Sequence, residues 1–117
     1  MTPDELRRWC LERPGAEETF PFGQEVSVFK ARGKMFALSK LGARPLTVSV
    51  KCDPELATEL RRTYPAIRPG YHLNKRHWNT LTLDGSLPDS MVRDLIEDSY
   101  DLVSGPPPRR RARGAPG

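Results

Sequence analysis

Apolar positions along this chain repeat with two different periods. Thr2-Pro3-Asp4-Glu5 carries the signature of a capping box, with Thr2 as N-cap, proline at the first helical position and Glu5 able to reach back to the cap backbone. Leu6, Trp9, Cys10 and Arg13 follow at helical spacing until Pro14-Gly15. This predicts a first helix on the surface, with Leu6, Trp9 and Cys10 turned inward. From Thr19 the period changes. Residues 26–30, 35–40 and 46–51 are short runs rich in β-branched and aromatic residues. They are separated by Ala31-Arg32-Gly33-Lys34 and by Leu41-Gly42-Ala43-Arg44-Pro45, separations that fit antiparallel hairpins. The third run alternates most cleanly: Leu46, Val48 and Val50 share one face, Thr47, Ser49 and Lys51 the other, so one face should be buried and one wet.

Asp53-Pro54-Glu55 opens a second helix by the same capping logic, with Leu56, Leu60 and Tyr64 at helical spacing before Pro65 ends it. Residues 66–77 contain Pro69-Gly70, lack a period and read as a loop. Residues 78–83 read as a further strand. A last helix begins between Ser86 and Asp89, with an apolar stripe of Val92, Leu95, Ile96, Ser99 and Val103 and an acidic opposite side. After Gly105 a Pro-rich and Arg-rich run has no large apolar residue to bury and is expected to be disordered. The order of elements predicts an α+β domain over residues 1–104, an antiparallel sheet with helices packed on one face, followed by a basic tail over residues 105–117. Such an architecture leaves the other sheet face open.

A length of 117 residues supports one core and one domain. No apolar run approaches the roughly 20 residues of a membrane span, and residues 1–6 lack the basic and apolar regions of a secretory signal, so a cytoplasmic location is expected. In that compartment Cys10 and Cys52 read as two small buried thiols. The net charge of +4 resides wholly in Arg109, Arg110, Arg111 and Arg113, because residues 1–104 carry 15 basic and 15 acidic side chains. The body is nevertheless polarised, with 11 basic against 3 acidic residues between positions 26 and 83 and acidic flanks on both sides. A middle segment of that charge concentrates anions wherever it forms one face.

Catalytic chemistry is not visible. His72 and His77, five apart, share neither a helical nor a strand face, and no zinc spacing, nucleophile elbow or glycine-rich phosphate loop occurs. Asp94, Glu97, Asp98 and Asp101 fit a solvated helix face. No metal, cofactor or enzymatic activity is therefore expected. The informative stretch is residues 67–78, which combines Arg68, Lys75 and Arg76 with His72, His77, Tyr71 and Trp78. Cations interleaved with amphipathic rings hold a phosphate backbone while offering surfaces for stacking. Trp78, at a strand start, also fits a core anchor.

The blocks Pro21-Phe22-Gly23, Gly33-Lys34-Met35-Phe36-Ala37, Lys51-Cys52-Asp53-Pro54, Tyr64-Pro65, Pro69-Gly70-Tyr71-His72, Asn74-Lys75-Arg76-His77-Trp78-Asn79 and Ser99-Tyr100-Asp101-Leu102-Val103 together resemble the MmcQ/YjbR family of small bacterial proteins. The resemblance covers about residues 3–104. It implies a two-layer fold similar to that of CyaY and a DNA-binding role through a double-wing arrangement of the sheet, and it brings no catalytic residues. In this reading Lys30, Arg32, Lys34 and Lys51 from the sheet join Arg68, His72, Lys75, Arg76 and Trp78 in a nucleic-acid interface. The alternative is a non-enzymatic binding module for a protein partner or a small anionic metabolite. Extent separates the two, because a duplex needs a stripe of cations whereas a metabolite needs a few converging on one concavity.

Overall fold

The computed structural model describes residues 1–104. The elements, in chain order, are α1 Pro3–Leu11, β1 Glu17–Thr19, β2 Ser27–Ala31, β3 Lys34–Ser39, β4 Thr47–Lys51, α2 Pro54–Thr63, β5 Ile67–Pro69, β6 Trp78–Thr82 and α3 Asp89–Val103. The capping box of α1 forms as its sequence dictates: the Glu5 N–H donates to Thr2 Oγ1 at 3.1 Å and the Thr2 N–H to the Glu5 carboxylate at 2.8 Å. That second bond holds the Glu5 carboxyl below its usual range. The Asp53 carboxylate caps α2 through the Glu55 and Leu56 N–H groups. α3 starts after Pro88 with no side-chain cap.

All strand pairs are antiparallel and the six strands run in the order β1-β2-β3-β4-β6-β5. One face is apolar. Phe29, Ala37, Val48, Val50, Leu81 and Ile67 stand on it and pack with Leu6 and Cys10 of α1, Ala57 and Leu60 of α2, and the stripe of α3. All five predicted stripe residues of α3, Val92, Leu95, Ile96, Ser99 and Val103, are buried. Asn79 points to the same side, where its amide donates to the Ala57 carbonyl at 3.4 Å. The fold is thus two layers, with three helices on one face of the sheet.

Between Phe29 and Lys30 of β2 the register to β3 shifts, from Phe29 opposite Ala37 to Lys30 opposite Met35. Phe36 is the extra residue of a β-bulge, so Phe36 and Ala37 both join the core instead of alternating across the sheet. The bulge has a consequence for β4, whose ladder with β3 is confined to Ala37–Val50 and Leu38–Ser49. Beyond it the Ser99 hydroxyl of α3 takes over, donating to the Phe36 carbonyl at 2.6 Å and accepting from the Lys51 N–H at 2.8 Å.

Two expectations need correction. Residues 67–69 lie in the stretch read as loop yet form β5, and residues 17–19 form β1. Both are three-residue edge strands, too short to show a period, and Pro69 is tolerated because an outer strand can lack a donor. Trp9 is only partly buried: its ring lies under the Arg13 guanidinium at 3.9 Å and its Nε1 donates to the Arg93 carbonyl. Cys10 and Cys52 are buried and not joined in a disulfide, and burial pushes Cys10 up to about 12. The basic tail over residues 105–117 lies outside the described residues.

Candidate nucleic-acid interface

The face away from the helices mixes polar and apolar side chains and is not wholly wet as its alternation predicted: Val28 and Ser49 are buried on it, at 0% and 4% exposed, because the flanking rows cover them. Cross-strand pairing places Thr19, Val28, Leu38, Ser49, Thr80 and Arg68 in one row across it. Directly opposed pairs in the adjacent row are Glu17 with Lys30, Lys30 with Met35, and Lys51 with Trp78. Lys30, Lys51 and Arg68 therefore stand on this face, Lys30 and Lys51 half-buried and Arg68 exposed, Lys30 with an acidic neighbour on β1. Ser49 Oγ and Thr80 Oγ1 share a hydrogen bond of 2.8 Å between them.

Strand direction gathers the other candidates. The β2–β3 turn, the ends of β4 and β5 and the start of β6 all fall at one end of the sheet. Arg32 and Lys34 stand there on the hairpin, and His72, Lys75 and Arg76 in the loop between β5 and β6. Arg32 and Gly33 have φ of 53° and 76°, the signs required of the central residues of a type I′ turn. His72 has φ of 57°. These are the two non-glycine residues with positive φ among the described residues, and both lie at this end. Left-handed backbone at a residue with a Cβ costs about 1 kcal/mol or more and tends to mark functional segments.

The β5–β6 loop is held from beneath. Gly70 donates its N–H to the Trp78 carbonyl at 2.8 Å, and a Cβ on Gly70 would stand 2.7 Å from that of Trp78. The Asn74 carboxamide oxygen accepts from the Arg76 and His77 N–H groups at 2.9 and 3.3 Å, closing an Asx turn. The Lys75 ammonium donates to the Gly70 carbonyl at 2.9 Å. From α2, Arg61 donates Nε to the Asn79 side-chain oxygen at 2.7 Å and its terminal nitrogen to the Lys75 carbonyl. Arg61 is thus spent on the loop's backbone. No sequence signal marks it among 11 basic residues, whereas the Asn74 turn follows from an Asn two residues before its donor.

Trp78 is 8% exposed, so its ring is not available as a stacking surface, and its Cβ and carbonyl lie against Gly70. This corrects its inclusion as a contact residue. Tyr71, which the candidate set left out, is 70% exposed. Its N–H donates to Thr80 Oγ1 at 3.1 Å, and its ring lies 4.0 Å from that of His72, tilted 55°. The side-chain ion pairs of the described residues engage Arg7, Arg13 and Arg62 on or after the helices, and none engages Arg32, Lys34, Lys51, Arg68, Lys75 or Arg76. A depression lined by Asp4, Arg7, Arg8, Leu11 and Glu12 belongs to α1, in the other layer. No group of three or more His, Cys, Asp or Glu among the described residues could hold a metal ion. No described helix is long and apolar enough to cross a membrane.

A six-stranded antiparallel sheet carrying three helices on one face and unpaired cations at one end defines a small two-layer α+β domain. The chain belongs to the YjbR family, whose sequence model matches residues 11–102. It is 42% identical over 100 residues to the uncharacterized protein YjbR of Escherichia coli K12, covering 86% of this chain and 85% of that one. To the uncharacterized protein YbdF of Escherichia coli O157:H7 it is 41% identical over 113 residues, covering 95% and 92%. Among solved structures it resembles Deinococcus radiodurans protein DR2400, of domain DUF419, with a TM-score of 0.85 and 40% identity over 99% of this chain and 96% of that one. A crystal structure of a Pseudomonas syringae protein matches with a TM-score of 0.76 and 29% identity, over 88% and 99%.

Proposed function

We propose that this chain is a non-enzymatic nucleic-acid-binding module that holds phosphates with the basic end and open face of its sheet. The observation that carries the reading is the set of cations at that end free of carboxylate partners, on two segments that both sustain left-handed backbone. From Lys30 on β2 to Arg68 on β5, the outer strand, is four inter-strand steps, about 19 Å at about 4.8 Å each. A duplex presents one charge per about 1.7 Å of axis, so a stripe of this length faces several phosphates at once. Such a spread suits a polyanion better than a metabolite, which requires convergence on a concavity.

The test is fluorescence anisotropy of the full chain with a labelled oligonucleotide across a salt series. Each phosphate contact contributes about 0.9 to the slope of log affinity against log salt. Changing Arg32, Lys34, Arg68 and Arg76 together to alanine is expected to lower the slope by about 2 to 3.6 and to weaken binding at every salt concentration. Unchanged affinity and slope in that variant would overturn the reading.

A further inference from the structure

Resting on that reading, we infer that the β5–β6 loop is a stacking platform for an unpaired base, so that the ligand of this face is single-stranded nucleic acid. Tyr71 is the most exposed of the large apolar side chains of the described residues, ahead of Phe22, Phe20 and Leu102. Folding alone gains nothing from exposing a tyrosine ring, and the chain spends further free energy on the left-handed His72 beside it. What results is a pair of exposed rings whose centroids lie 4.0 Å apart.

The backbone beneath the pair is tied by several hydrogen bonds. Tyr71 is tied by its N–H to Thr80, Gly70 is locked against Trp78, and Lys75, Asn74 and Arg61 close the remainder of the loop on itself and on α2. Cations share this end of the sheet with the rings. Arg68 pairs across the strands with Thr80, whose hydroxyl holds Tyr71, and Arg76 stands on the far limb of the same loop. An exposed ring on a loop that also carries cations is complementary to a strand whose base faces are accessible. In a duplex those faces are stacked on one another and the outside presents only backbone and groove edges. Stacking is sequence-tolerant, so this platform selects single strands over duplexes without reading sequence.

Stacking and phosphate contact separate experimentally, because only the second releases counterions. The probes are a thymidine oligonucleotide of about 15 nucleotides, near the upper site size of one small domain, and a duplex of equal length, titrated into the full chain across a salt series. The wild-type chain is expected to bind the single strand more tightly. Tyr71→Ala is expected to weaken single-strand binding by about 5- to 150-fold, the loss of one base stack, with the salt slope unchanged. The same variant should leave duplex binding within about twofold, and Tyr71→Phe should keep most of the single-strand affinity. Equal weakening of both ligands by Tyr71→Ala, or no weakening of either, would overturn the inference. If the four-cation variant loses binding while Tyr71→Ala retains single-strand binding, the phosphate-binding reading stands and the platform falls. If the wild-type chain binds neither probe, both fall.

Discussion

Ser99→Ala removes one hydroxyl, and the fold predicts a loss far larger than that atom's size. Ser99 is fully buried and bridges two backbone groups that the Phe36 bulge prevents from meeting: the Phe36 carbonyl and the Lys51 N–H. Without the hydroxyl the buried Phe36 carbonyl and the part-buried Lys51 N–H both lose this partner. Each orphaned group costs about 1–3 kcal/mol, and alanine returns about 0.5 kcal/mol of helix propensity. The expected net loss is about 1.5–5.5 kcal/mol, a large fraction of the 5–15 kcal/mol typical of a folded domain. For a domain of about 100 residues that lowers the melting midpoint by roughly 7–26 °C. Urea unfolding followed by far-ultraviolet circular dichroism measures it, with an unchanged m-value indicating that the native fold is retained. Ser104→Ala, which removes only a 3.4 Å bond to the Asp101 carbonyl, serves as the comparison and should shift stability by less than about 0.5 kcal/mol. A Ser99→Ala loss as small as that of Ser104→Ala would refute the role given to the hydroxyl.

Arg32→Asn, placing the residue preferred at the first position of a type I′ turn, should stabilise the fold by up to about 1 kcal/mol while lowering the salt slope of oligonucleotide binding by about 0.9, measured by urea unfolding and anisotropy. Cys10 is protonated in the fold up to about pH 12, whereas in the unfolded chain it ionises near the ordinary thiol value of 9.0. Its contribution is therefore complete below about pH 9 and is lost as pH rises from there toward 12, so Cys10→Ala should show a shallower alkaline fall in stability than the wild type, by up to about 1.4 kcal/mol per pH unit. Ending the chain at Ser104 removes Arg109, Arg110, Arg111 and Arg113, and should lower the salt slope by about 2 to 3.6 and weaken binding to unrelated sequences equally; an unchanged slope would mean that these arginines do not touch phosphate.

What the sequence disclosed was local. The α1 capping box, the Asp53 cap and the five-residue stripe of α3 depend on neighbours within one or two turns, and each is observed as read. The Phe36 bulge breaks the alternation of its own run and becomes visible only when β2 is laid beside β3. β5 exists because β6 offers Ile67, Arg68 and Pro69 a ladder, not because three residues carry a period. The same division holds at the site. A basic middle was legible as composition, and hairpin logic placed Arg32 and Lys34 on one tip. That Arg61 serves the loop's backbone, that Trp78 lies against Gly70 and that Tyr71 protrudes are matters of packing between segments distant in sequence.

The most direct measurement is an amide chemical-shift titration of the isotope-labelled full chain with a short oligonucleotide at low salt. Perturbations are expected at Lys30, Arg32, Lys34, Lys51, Arg68 and the loop from Gly70 to Arg76, with the amides of α1 and the buried stripe of α3 unmoved. Perturbations confined to α1, or none at the basic end of the sheet, would contradict the nucleic-acid-binding reading.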